Sequence, residues 1–153
     1  MKKSITFMFV AIVASVSALV YAGTPVNFSD LPKASQTFLN KYFPGVEIRK
    51  AEKDLGRRGV EYEVDLVGGA EVDFRSDGEW KEVKAAHGDS VPAGIVPASI
   101  AEYVAENFKD ECVVEISRER NGYEIELSNG KELRLTEDAK PVSQRRGGRG
   151  NRR

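Results

Sequence analysis

The spacing of apolar positions changes along the chain, and each change marks an element. Leu31, Ala34, Phe38, Leu39 and Tyr42 recur at helical spacing, and Ile100, Ala101, Val104 and Phe108 do so again. Ser29-Asp30 supply an N-cap for the first helix, Pro32 falls in its first turn, and Pro44-Gly45 ends it. The second helix opens at Pro97. Elsewhere the period drops to two. Tyr62-Glu63-Val64-Asp65-Leu66 and Glu71-Val72-Asp73-Phe74 alternate apolar with charged residues, as do Tyr123-Glu124-Ile125-Glu126-Leu127 and Glu132-Leu133-Arg134-Leu135. Strict alternation of this kind predicts half-buried antiparallel strands. Gly68-Gly69 and Asn129-Gly130 sit where hairpin turns belong, and Ser76-Asp77-Gly78 forms a third turn leading to Trp80.

These segments read as two copies of one unit, about 27–85 and 95–142. Leu31-Pro32 matches Val96-Pro97, Phe43 matches Phe108, and Val46-Glu47-Ile48 matches Val114-Glu115-Ile116. The Tyr62 and Tyr123 strands match each other at one constant offset, which also relates the Glu71 and Glu132 strands. Each copy is a helix followed by a meander of about three or four strands. One copy is too small to bury its own faces, so two side by side predict an α+β domain with the helices packed on one face of an antiparallel sheet.

Phe43-Pro44-Gly45-Val46, the strands from Tyr62 and Glu71, and Asp77-Gly78-Glu79-Trp80 together resemble the PepSY-like, putative beta-lactamase-inhibitor-like family of small exported proteins typical of Bacteroidetes. The resemblance runs from Asn27 to about Val142. In the second copy Lys109-Asp110-Glu111 replaces Pro-Gly and Ala139-Lys140-Pro141 replaces Gly-x-Trp. The resemblance implies a fold like that of the beta-lactamase inhibitor protein, a tandem repeat whose sheet offers an open surface. It implies a non-enzymatic binding or inhibitor-like module, without specifying a target.

Alternation sorts the strand residues onto two faces. Val64, Leu66, Val72, Phe74, Trp80, Ile125, Leu127, Leu133 and Leu135 point at the helices. Glu61, Glu63, Asp65, Glu71, Asp73, Glu79, Glu124, Glu126 and Glu132 point to the open face. Same-face consistency pairs Leu66 with Val72, which sets Asp65 opposite Asp73, a destabilising like-charge pair. The equivalent register sets Glu126 opposite Arg134, while parity in the next strand sets Lys81 opposite Asp73 and Arg75 opposite Glu79. Two readings fit the carboxylates: ordinary cross-strand compensation, or a site for a cationic or basic partner formed by Glu63, Asp65, Glu71, Asp73, Glu124 and Glu126. Calcium suits clustered carboxylates, but no loop has EF-hand spacing, and acids spread over a flat sheet lack converging carbonyls, so no metal site or cofactor is expected.

Charge and composition narrow the function classes. The body from Gly23 to Val142 holds 16 basic and 24 acidic residues, net −8. Lys2-Lys3, the uncharged run to Ala22 and the small residue there predict a secretory signal peptide over 1–22, leaving no membrane-spanning segment after cleavage. The location expected is periplasmic or secreted. Residues 143–153 carry Arg145, Arg146, Arg149, Arg152 and Arg153 with no acid and no apolar residue, which predicts a disordered tail. Outside the cytoplasm such a tail suits an anionic envelope surface or the body's own acids better than nucleic acid, and an envelope-associated accessory protein acting through it is the alternative function. One Cys and one His make a zinc site or a His-dependent nucleophile a poor fit, and no enzyme activity is expected. Cys112 reads as a buried inert thiol, His87 as a linker residue, and Trp80, Tyr62 and Tyr123 as structural aromatics.

Overall fold

The computed structural model describes residues 23–56 and 59–142. The signal segment expected over 1–22 and the arginine tail of 143–153 lie outside the described residues. Eight strands form a single antiparallel meander whose spatial order is the chain order: β1 (Thr24–Pro25), β2 (Ile48–Gly56), β3 (Gly59–Leu66), β4 (Glu71–Arg75), β5 (Trp80–Lys84), β6 (Val113–Glu119), β7 (Gly122–Leu127) and β8 (Glu132–Leu135). Helix α1 (Lys33–Tyr42) precedes β2, and α2 (Ala98–Asn107) lies between β5 and β6. The architecture is α+β, mostly antiparallel sheet with two helices.

Both helices are ten residues, too short to persist alone in water, so packing against the sheet holds them. Their ends are built alike. Pro32 and Pro97 stand at the N-caps with extended backbones, and Phe43 and Phe108 close the helices by donating their N–H groups to Leu39 and Val104. Ser29-Asp30 do not cap α1. They belong to a 3-10 turn over Phe28–Asp30, where the Asp30 carboxylate accepts from the Asn27 backbone and side-chain nitrogens at 3.0 Å each. Ala34 faces solvent, and Ser35 takes the buried place, its hydroxyl donating to the Gly78 carbonyl at 3.3 Å.

Leu39, Ile100 and Val104 from the helices join Val64, Leu66, Val72, Phe74, Val83, Ile116, Ile125, Leu127 and Leu135 from the strands in one core. Phe74 is fully buried and meets Phe38 edge-on at 5.6 Å between ring centroids. Trp80 is a core residue, as alternation predicted, stacked on Tyr123 at 6.3 Å with the Arg118 guanidinium 4.1 Å above its ring. The segment from Ala85 to Ile95 is anchored by backbone bonds to Val113 and Val114 and by buried Val91 and Ile95. Cys112 is exposed, not buried: it precedes β6 in a loop, and its N–H donates to the Ser128 hydroxyl.

Three registers differ from strict alternation. Leu66 faces Ala70 across a three-residue loop, so Val64, not Leu66, pairs with Val72, and Asp65 faces Glu71 instead of Asp73. The same two-residue slip pairs Glu124 with Arg134 and Glu126 with Glu132, removing the expected Glu126–Arg134 compensation. A slip of two keeps every side chain on its face, so periodicity cannot detect it. The third difference is an irregularity in β5 between the Asp73 and Phe74 pairings, which moves Glu82 opposite Asp73 in place of Lys81. The Arg75 N–H still bonds the Glu79 carbonyl, as expected of that turn. Similar irregularities fall in β2 beside Ile48 and in β6 beside Val113, so the second helix-proximal strand aligns Val113, not Ile116, with Ile48.

Candidate functional site

The sheet face away from the core carries two transverse rows of side chains. One runs Glu52, Glu63, Asp73, Glu82, Ser117, Glu124, Arg134 across β2 to β8. Its first four members are carboxylates on adjacent strands, about 4.8 Å apart. The other row runs Lys50, Asp65, Glu71, Lys84, Glu115, Glu126, Glu132. The sheet thus brings Glu63, Asp65, Glu71, Asp73, Glu124 and Glu126 onto one surface. Sequence reasoning missed Glu52, Glu82 and Glu115. The signal for them was available: inward residues three apart, Ile48 to Ala51, Trp80 to Val83 and Val113 to Ile116, each require an irregularity that resets the alternation.

Cations compensate part of this charge. Arg49 lies 2.9 Å from Asp65, Lys50 2.8 Å from Glu52, Lys84 3.8 Å from Glu115, and Arg134 reaches Glu124 at 2.9 Å. Lys81 donates to Glu61 at 2.7 Å and stands 3.9 Å from Asp73, so its main partner is Glu61. Glu79 turns to Arg118 at 3.1 Å, away from the acidic rows. Among the described residues Glu63, Glu71, Glu82, Glu126 and Glu132 have no cation within 4.0 Å.

Asp73 is the electrostatic centre of the surface. Its Oδ1 is buried without a hydrogen-bond partner. Burial, then the facing Glu82, pushes its carboxyl up to about 7 against the pull of Lys81. Burial raises Glu71 as well, with Glu63 and Asp65 adding to it, and raises Glu115, with Glu82 adding. Carboxyl oxygens of Glu63, Asp65 and Glu71 come within 4.8 Å of one another, closer than acids spread over a flat sheet. The crowding of carboxylates on this surface disfavours their charged forms, most of all at Asp73, and favours a positive group placed among them.

His87 and Cys112 line one cavity of about 510 Å³ at the other end of β5 and β6, with Ser128 and Glu126, and both side chains are exposed. The Ser128 hydroxyl donates to Glu111, so it is not poised against either.

The protein is thus α+β, with one sheet face covered by helices and the other free and acidic. The chain belongs to the family described as putative beta-lactamase-inhibitor-like, PepSY-like, whose model matches residues 60–140. Three solved structures share the fold. A "putative periplasmic protein" from Bacteroides vulgatus is 29% identical, covers 81% of this chain and 97% of its own, and superposes with a TM-score of 0.75. A "putative calcium-regulated periplasmic protein" from Bacteroides thetaiotaomicron is 32% identical over 78% of this chain and 94% of its own, with a TM-score of 0.74. A third, a Bacteroides vulgatus "putative periplasmic protein of unknown function", is 27% identical over 80% of this chain and 98% of its own, again at 0.74. No curated protein matches the chain. In keeping with these neighbours the protein is periplasmic or secreted, and among the described residues no helix is long and apolar enough to cross a membrane.

Proposed function

We propose that the protein is an exported, non-enzymatic binding module that takes a cationic partner on its open sheet face. The observation that carries this reading is the line of facing carboxylates Glu52–Glu63–Asp73–Glu82, of which Glu63 and Glu82 have no cation within 4.0 Å among the described residues and Asp73 is pushed up to about 7. Four strands hold these groups at fixed spacing, so a partner meets an arranged field at little reorganisation cost, and the field speeds its encounter. We further read the two halves as tandem copies of one inhibitor-like unit, a reading supported by their matching proline caps, phenylalanine closures and strand irregularities. Titration of a hexalysine peptide, followed by amide chemical shifts, tests the site. Shifts should centre on β3, β4 and β5, fade as salt rises, and be lost in Glu63→Gln/Asp73→Asn/Glu82→Gln. A response unaffected by that triple substitution would sink the assignment.

A second reading is favoured by one observation: Glu63, Asp65 and Glu71 converge within 4.8 Å, and a neighbour of similar fold is described as calcium-regulated. Calcium at about 100 times its dissociation constant would then stabilise the fold by roughly 2.7 kcal/mol. Thermal melts with calcium and with chelator, on wild type and Glu71→Gln, decide it; identical melts in calcium and chelator would remove the ion from consideration.

A further inference from the structure

Past β8 the chain turns at Thr136–Ala139 and comes back along the outer side of that strand, pairing Pro141 with Leu135 and donating the Val142 N–H to the Arg134 carbonyl. Val142 thus stands at the sheet edge, level with the row that contains Glu124, Glu82, Asp73 and Glu63. The eleven residues that follow it hold five Arg, no acid and no apolar side chain. Building on the reading of the open face as a cation-binding surface, we propose that residues 143–153 of the same chain lie across that face and compete there with external cationic partners.

Reach allows it. From Val142 to β4 there are five strand spacings, about 24 Å, while eleven extended residues span roughly 36–40 Å. Arg145 and Arg146 then come level with β7 and β8, where Glu126 and Glu132 face each other, and Arg152 and Arg153 reach the lines through Glu82, Asp73 and Glu63. Charge allows it too. Arg49, Lys50, Lys81, Lys84 and Arg134 have their own partners, and among the described residues the carboxylates without a cation within 4.0 Å are Glu63, Glu71, Glu82, Glu126 and Glu132. Arginine suits this use, because a guanidinium engages carboxylates in a planar fork and gives up its hydration more easily than an ammonium. Gly147, Gly148 and Gly150 place no side chain between the arginines and let the segment follow the twist of the sheet.

The consequence is a self-occupied site. A tethered segment is present at an effective concentration in the millimolar range, so an outside basic peptide must exceed that to displace it. Weak basic ligands are screened out, and strongly cationic ones are admitted.

The test uses the mature chain from Gly23 to Arg153. A nitroxide is placed in the tail with Asn151→Cys in a Cys112→Ser background, which keeps all five Arg. Amide signals of Glu63, Asp73 and Glu82 should broaden at low salt and recover when ionic strength is raised. A companion variant with all five Arg changed to Gln should bind the hexalysine peptide roughly ten-fold more tightly than wild type, because the tethered competitor is gone. Four results would overturn the proposal. Absent broadening with peptide binding equal in both proteins removes the tail from the face and leaves the face as a binding site. Absent broadening with no peptide binding in either protein removes both readings. Broadening seen only between a labelled copy and a separate isotope-enriched copy assigns the tail to a second molecule. Tail signals that respond only to anionic phospholipid vesicles assign it to a membrane surface.

Discussion

Replacing Asp73 by Asn is the sharpest probe of the acidic face, because the two forms differ only in a proton's worth of charge. In the native fold the Asp73 carboxyl is raised from 3.8 to about 7. A raised acid favours the protonated form in the folded state, so its contribution to stability is complete below about pH 4 and is lost as pH climbs through 7. Each pKa unit corresponds to about 1.36 kcal/mol, which would give roughly 4 kcal/mol for a fully sequestered group. Asp73 keeps 24% of its side-chain exposure, so solvent screening reduces the loss to about 1–2 kcal/mol. The Asn variant carries no charge at any pH and escapes it. At pH 8 it should therefore melt above wild type, by about 3–10 °C for a domain of this size. At pH 4 the two should melt together. Circular-dichroism melts of both proteins from pH 4 to 8 give the difference curve, in which the contributions of carboxylates remote from Asp73 cancel. A lower melting temperature for the variant at pH 8 would mean that Asp73 is ionised and held by Lys81, and the account of the face given above would be wrong.

Other consequences are simpler to check. Gly78→Ala should destabilise by about 2–4 kcal/mol in chemical denaturation, since its φ is +87° and an added Cβ would lie 2.7 Å from the Pro32 Cβ and 2.9 Å from the Ala34 Cβ. Phe74→Ala removes a fully buried ring that packs on Phe38 and should cost about 3–5 kcal/mol, read from the shift in denaturation midpoint at unchanged slope. Arg134→Gln breaks an exposed pair with Glu124 and should cost at most about 1 kcal/mol, less in high salt; a larger loss would show that β8 depends on it. Ala139→Gly should stabilise by about 0.5–1 kcal/mol in the same assay, because Ala139 holds a φ of +56° in the turn after β8.

The helices, the alternating β3, β4 and β7, and the burial of Trp80 could be read from the sequence because each follows from a local period or cap. What the sequence concealed has a common physical origin. A two-residue slip in a hairpin leaves every side chain on its original face, so pattern alone accepted Asp65 opposite Asp73. Only the loop conformation at Val67, Gly68 and Gly69, two of them at positive φ, decides for Glu71. The strand irregularity in β5 hid Glu82 in the same way, by inserting a residue into a count that assumed none. β1 is only two residues long, too short to carry a period, and its pairing with Glu52 and Lys53 is purely tertiary. Ser35 carries a hydroxyl that periodicity assigns to the surface, yet it is buried where the Gly78 carbonyl on the β4–β5 turn receives it. The candidate site residues were legible as a set, while their partners were not, since partners are fixed by register.

The chain-order meander also bears on how the protein comes to be folded. Every ladder in the sheet joins strands that are neighbours in sequence, and none waits for a distant segment to return. The longest excursion between paired strands is the one through α2, from β5 to β6. A chain that becomes available N-terminus first can therefore add strands in the order they arrive, without holding an exposed edge open for a late partner. Local connections of this kind keep loop-closure entropy small and favour fast folding. The order of the strands thus shortens the interval in which the apolar face of the sheet is bare during folding.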